Sequence, residues 1–169
     1  MEWLGPDGYG GEPWDIVIAH PPCTYLTNAG ARWLYTGGRG TVRDSARWDA
    51  MHEGARFFRQ VSEAARTARI GSVLENPIMH KHAMQAVGSC TWRERQIIQP
   101  WQFGTPETKA TVLWLDRLPT LTWDPFTAIA PIHVKARVHH ESPRPNRWWF
   151  RSLTDPNIAA AMAAQWGAL

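Results

Sequence analysis

The chain has 169 residues and a mass of 19.2 kDa, the size of one ordinary domain on a scale of roughly 100–200 residues per domain. Hydrophobic residues make up 44% of it and charged residues 20%, which excludes a disordered chain, and no apolar run approaches the roughly 18 residues a membrane span needs. Eighteen basic against 15 acidic residues give +3 and a pI near 9.2, which permits an anionic partner without requiring one.

The opening stretch Met1-Glu2-Trp3-Leu4-Gly5-Pro6 lacks a basic region followed by an apolar one, so it does not read as a secretion signal. Residues 1–14 are rich in Gly and Pro and read as loop. Asp15-Ile16-Val17-Ile18-Ala19 is an apolar run halted at His20-Pro21-Pro22, which predicts a buried parallel strand. Thr24 to Gly40 reads as loop. From Ser45 to Arg66 the pattern turns helical: Trp48, Met51, Ala55, Phe58 and Ala65 form a stripe that Phe57, Val61 and Ala64 widen, with Asp44 or Ser45 as cap.

A second buried strand is expected at Ile70-Gly71-Ser72-Val73-Leu74, stopping at Glu75-Asn76-Pro77, and a short helix within 78–87. Strands follow at 96–99 and 111–115, and an Ala-rich helix runs from Asn157 to Trp166 behind Pro156. This order predicts an α/β domain with a partly parallel sheet and a C-terminal helix. The whole chain reads as a single domain, with a loop at 1–14, a core at 15–116 and an extension at 117–169. Ligands of such sheets bind beyond the carboxyl ends of the strands, where Pro21-Pro22-Cys23 and Glu75-Asn76-Pro77 both fall. Of the eleven tryptophans, most are expected in the core because each buries a large area.

A structural cysteine usually lies within an apolar run, whereas Cys23 follows two prolines at a strand exit, the setting of a nucleophile. Cys90 has no such setting, and two cysteines do not make a disulfide framework, so a reduced, cytoplasmic protein is expected. Glu75 at the other strand end could accept from an exocyclic amine or, protonated, donate to a ring nitrogen. Alone, it reads better as a carboxylate at a helix entry, and the thiol at the neighbouring strand end is what shifts the reading.

Together these residues resemble the DNA (cytosine-5) methyltransferases, whose catalytic strand ends in a Pro-Cys pair and a later strand in Glu-Asn-Val. Gly104-Thr105-Pro106-Glu107-Thr108-Lys109 is similar to that family's Gly-x-Pro-Gln-x-Arg-x-Arg segment, which begins the antiparallel strand corresponding to 111–115. The stretches 15–35, 75–82, 96–121 and 151–167 also resemble short phage-type proteins labelled cytosine methyltransferases. The resemblance implies a truncated Rossmann-like methyltransferase domain in which Cys23 attacks C6 of cytosine and C5 accepts a methyl group. It implies that Glu75 holds the N3 and N4 edge, Pro22 shapes the pocket and Asn76 supports the loop of Glu75. His20 and Thr24 fall beside them as substrate-binding candidates, and Lys109 falls at the first arginine of the third motif, positioned for base or phosphate. The implied cofactor is S-adenosylmethionine, and the implied substrate is DNA or a pyrimidine nucleotide in the cytoplasm, for a phage protein that of a bacterial host.

Several positions depart from the family pattern. Thr24 replaces a glutamine, Pro77 a valine, Glu107 a glutamine and Lys109 an arginine, and Thr111 stands at the second arginine. The aromatic-Gly-x-Gly loop that cradles S-adenosylmethionine is missing, and the glycines at 5, 8, 10 and 11 follow no strand, so they do not replace it. The cofactor is then expected from the surviving half, a second chain or a homodimer.

Three other readings compete. Cys23 and Glu75 could modify a pyrimidine without S-adenosylmethionine. His20-Pro21-Pro22-Cys23 also resembles the Asp-Pro-Pro-Tyr box of amino-methyltransferases, but its first and last residues fit poorly. A catalytically degenerate relative could bind nucleic acid through Arg144, Arg147, Trp148, Trp149 and Arg151, although Trp149 reads better as packing on the sheet. His133, His139 and His140 with Glu141 are a weak metal set, since adjacent His139 and His140 point apart in a strand, and no metal is expected.

Overall fold

The computed structural model describes residues 12–36, 41–88, 92, 94–130, 134–136 and 145–169. The chain forms two compact units, one of Met1–Gln96 with Val112–Leu118 and one of Ile97–Thr111 with Pro119–Leu169.

In the first unit the element order is β1 (Ile16–Ala19), α1 (Asn28–Ala31), β2 (Tyr35–Thr36), β3 (Val42–Arg43), α2 (Ser45–Ala65), β4 (Gly71–Pro77) and α3 (Lys81–Val87). With β5 (Glu94–Ile98) and β6 (Thr111–Asp116), β1 and β4 make a four-stranded open sheet of order β1-β4-β6-β5, partly parallel and partly antiparallel. β1 and β4 run parallel in the register Ile16↔Gly71 to Ala19↔Leu74. The architecture is therefore mixed α/β, with the helix α2 as the connection between the parallel pair.

Position in the sheet explains the strands' composition. β6 is buried along its whole length and carries the continuous apolar run Val112–Leu115, whereas β4, buried through Asn76, has only Val73 and Leu74 between the buried polar residues Ser72 and Glu75-Asn76. β1 was expected to be buried, and here the structure differs. Among the described residues its only strand neighbour is β4, and Ile18 is 40% exposed. An apolar run alone does not separate an edge strand from a central one.

α2 starts where Asp44 accepts a hydrogen bond from the Arg47 backbone N–H at 3.0 Å, so Asp44 rather than Ser45 is the cap. Its buried face is Met51, Ala55, Phe58, Ser62 and Ala65, at alternating spacings of four and three. All but Ser62 join Leu26, Leu34, Leu74, Met79, Ala83, Val87, Val112 and Trp114 in the core. Phe57, placed in the stripe by the sequence reading, is exposed, since it lies at the stripe's margin.

The segment read as loop from Thr24 to Gly40 holds α1 and β2, and β2 pairs antiparallel with β3. Tertiary contacts form them: the Asp44 N–H and the Trp48 indole N–H both donate to the Leu34 carbonyl, and Tyr35 meets Trp48 edge-on at 5.9 Å.

In the second unit a 3-10 turn at Pro100–Phe103 precedes Gly104, and two helices follow, α4 (Arg147–Ser152) and α5 (Pro156–Trp166). Asp155 caps α5 by accepting from the Asn157 and Ile158 N–H groups, with Pro156 in the first turn. Ile158, Met162 and Trp166 form its buried face, and the Trp166 indole donates to the Pro119 carbonyl at 2.9 Å. The tryptophans divide between core and surface: Trp92, Trp114 and Trp166 are buried, while Trp33, Trp123 and Trp149 are exposed. No helix among the described residues is long and apolar enough to cross a membrane.

Candidate functional site

The parallel register of β1 and β4 fixes what meets at their ends. Partners in this register are 55 residues apart, and that separation continues past the strands, bringing His20 to Glu75, Pro21 to Asn76 and Tyr25 to His80. His20 Nδ1 lies 3.2 Å from Glu75 Oε2. Glu75 is 9% exposed and His20 half-exposed, so the imidazole links a nearly buried carboxyl group to solvent. Asn76 Nδ2 donates to the Pro21 carbonyl at 3.1 Å, and Asn76 itself is 1% exposed. Its Oδ1 is buried and has no hydrogen-bond partner among the described residues.

Pro21 is buried and Pro22 exposed, and Cys23 follows as a reduced, half-buried thiol. The Cys23 carbonyl accepts from the Leu26 N–H at 3.0 Å and the Thr27 N–H at 3.2 Å, which folds residues 23–27 into a tight turn. Thr24 is exposed on that turn. The Tyr25 ring lies beneath the Arg47 guanidinium, 5.7 Å from the ring centroid, tying the turn to the start of α2. Cys23, Glu75, His20, Pro22, Thr24 and Asn76 are thus gathered at the exits of two neighbouring parallel strands.

His80 was missed by the sequence reading. It is buried at the N-cap of α3, where its Nδ1 accepts from the Ala83 N–H at 3.1 Å and its Nε2 lies 3.0 Å from the Tyr25 carbonyl. Its backbone N–H donates to the Leu26 carbonyl, and Thr27 bridges Met79 in antiparallel fashion. Burial pushes the His80 imidazole below the ordinary histidine value, the Tyr25 carbonyl opposes that shift and His82 adds to it. The one local signal was a polar residue just ahead of a short helix, and histidine is not among the favoured caps.

Lys109 and Arg147 belong to the second unit. The Lys109 ammonium donates to the Leu153 carbonyl at 2.6 Å, and its backbone N–H donates to Gln99 Oε1. Gly104-Thr105-Pro106-Glu107-Thr108-Lys109 is a turn held by reciprocal bonds to Lys135, with Gly104 at φ +87° where a side chain would be strained. Arg147 opens α4, and the Nε atoms of Arg147 and Arg151 are buried with no hydrogen-bond partner among the described residues. Trp149 does not pack away as expected: it is 47% exposed and stands edge-on to Phe150 at 4.9 Å, on a helix of two turns with little face to bury. Arg144, Cys90, His133, His139, His140, Glu141 and the side chain of Trp148 lie outside the described residues.

S-adenosylmethionine needs a backbone cradle for its nucleoside and amino-acid ends, usually a glycine turn between a strand and a helix. The described strand exits do not offer one. β1 leads into His20-Pro21-Pro22 and β4 into Ile78-Met79-His80, and the amides of Leu26, Thr27 and His80 are already bonded within the turn and its neighbour. The exits of β1 and β4 therefore do not supply this cradle themselves.

Set against known proteins, the chain matches no family model and no curated protein.

Proposed function

We propose that the exits of β1 and β4 take up a cytosine base and activate its C5 carbon through addition of Cys23, the base-handling part of cytosine-C5 methyl transfer. The observation that supports this is the pairing of His20 with Glu75 at 3.2 Å beside the Asn76–Pro21 bond, which holds a carboxyl group next to the segment that carries the thiol. On this reading the domain is a truncated Rossmann-like methyltransferase fold.

The chemistry closes without a further reactant. The Cys23 thiolate forms a bond to C6 while the C5–C6 π pair moves toward N3, which takes a proton from the Glu75 carboxyl group. The resulting enamine is nucleophilic at C5 and accepts a proton from water. Loss of the original C5 hydrogen to water and expulsion of the thiolate restore the ring, with the N3 proton returned to Glu75. His20, in contact with Glu75 and with solvent, can replace the carboxyl proton. Methylation proper would require S-adenosylmethionine, held away from the exits of β1 and β4 by the rest of this chain, a second chain or a second copy. The substrate is a base in DNA or in a pyrimidine nucleotide, and in a duplex the base must leave the stack first.

Exchange of the C5 hydrogen with solvent tests this directly, using deoxycytidine monophosphate in one arm and a cytosine-containing oligonucleotide in the other. Exchange in either arm that disappears in Cys23→Ala and weakens in Glu75→Gln supports the reading. Absence of exchange in both arms, or exchange unchanged in Cys23→Ala, removes it.

A further inference from the structure

The His80 side chain uses both ring nitrogens, and the two bonds fix its tautomer. Nδ1 accepts from the Ala83 N–H, so the proton sits on Nε2, which donates to the Tyr25 carbonyl. The His80 backbone N–H takes the next carbonyl along, that of Leu26. In turn, the amides of Leu26 and Thr27 close on the Cys23 carbonyl. Two hydrogen bonds thus separate a buried imidazole on α3 from the backbone of Cys23. The Asn76 bond to the Pro21 carbonyl and the Arg47 contact on the Tyr25 ring hold the same segment from β4 and α2.

We propose that His80 is the positioning residue for Cys23, holding the 23–27 turn against the start of α3 through its Nε2–H and so fixing where the thiol stands at the strand exits. Its consequence for catalysis rests on the reading of Cys23 as nucleophile, but the placement of the thiol does not. Only the Ala83 bond needs the neutral ring: a proton on Nδ1 would abolish the acceptor that caps α3, while the Nε2–H donates to the Tyr25 carbonyl in either state. Among the described residues the groups around the ring are His82 on the same helix, 6.0 Å away between centroids, and Tyr25 on the turn, with Arg47 over its ring.

Asparagine and glutamine divide the two roles. The side chain of His80→Asn can accept at the Nδ1 position and keep the cap but is too short to reach Tyr25. That of His80→Gln can reach Tyr25 but leaves the cap weakened. The measurement is the rate of iodoacetamide alkylation of Cys23 from neutral to alkaline pH, read by mass spectrometry of its peptide with the Cys90 peptide as internal reference. We expect His80→Asn to shift the Cys23 pH–rate profile at near-normal thermal stability, and His80→Gln to keep the wild-type profile despite lower stability. Where C5 exchange is detected, His80→Asn should lower its maximal rate by roughly ten- to a hundredfold with little change in KM. Wild-type Cys23 profiles in both folded variants overturn the proposal, as does reactivity that follows melting temperature rather than the Tyr25 donor. If wild-type protein shows no C5 exchange while the two variants still differ as expected, the positioning role stands and the proposed function falls.

Discussion

Asn76 donates to the Pro21 carbonyl at 3.1 Å from a side chain that is 1% exposed, joining the exits of two parallel strands by a bond that crosses 55 residues of chain. Removing the amide leaves the Pro21 carbonyl buried without its donor, and Asn76→Ala should lower unfolding stability by about 1–3 kcal/mol. Asn76→Asp should do worse near neutral pH, because a carboxylate there meets a carbonyl instead of donating to it. Urea unfolding of the three proteins at neutral pH checks the order wild type, Asn76→Ala, Asn76→Asp.

The turn that carries Cys23 is also packed from beneath. A Cβ added at Gly30 would stand 2.8 Å from the Thr24 carbonyl oxygen, a backbone atom of that turn, so Gly30→Ala must displace it. Overpacking of this kind costs about 1–3 kcal/mol, and the displaced turn should change Cys23 alkylation as well. Gly54 supplies the contrast. It lies inside α2, where an added Cβ would meet only the Leu26 side chain at 3.5 Å, ordinary contact. Gly54→Ala should raise stability by roughly 0.5–1 kcal/mol and leave Cys23 alkylation unchanged. Thermal melts with peptide-resolved alkylation of both variants separate the two outcomes.

How much of this could be read from the sequence follows from the range of the interactions involved. α2 is legible because its core repeats at helical spacing behind a capping residue, and α5 because an Ala-rich stretch follows Pro156. β4 and β1 are legible as apolar runs stopped by prolines, and that placement brought out Cys23 and Glu75 together. The edge position of β1 was not legible, since it depends on which strands stand beside it. α1, β2 and β3 were hidden because elements of two to four residues have no period, and the Leu34 carbonyl and Trp48 that organise them act through tertiary contacts. His80 was hidden for the same reason: its partner, the Tyr25 carbonyl, is 55 residues away.

His80 also links stability to pH. Burial holds its folded-state pKa below that of the unfolded chain, so the unfolded chain takes up a proton first as the pH falls. The stabilisation from the neutral ring is therefore complete above the ordinary histidine value of about 6.5 and is lost as the pH drops below it. Denaturation midpoints between about pH 7 and about pH 5 should decline for the wild type and decline less for His80→Asn, which has no proton to gain. Equal slopes for the two would contradict this linkage.

At the far end of the sheet, Arg117 follows β6 with φ at +61°, a left-handed conformation for a residue with a full side chain. Its guanidinium explains the conformation. It donates to the carbonyls of Arg66 at 3.0 Å, Ala68 at 2.7 Å and Arg69 at 3.0 Å, closing the turn after α2. Its Nε donates to the buried Asp116 carboxylate at 3.0 Å. Arg117→Ala loses all four bonds and retains the backbone strain, whereas Arg117→Gly loses the bonds but relieves a strain of about 1–2 kcal/mol. Both should be less stable than wild type, with Arg117→Gly the better of the two by about 1 kcal/mol, or roughly 2–4 °C in melting temperature. Arg117→Lys keeps the charge beside Asp116 but has no planar fork to span three carbonyls, so its melting temperature should also fall below wild type. Calorimetry on the three variants decides whether the guanidinium fork or the backbone conformation dominates at this corner.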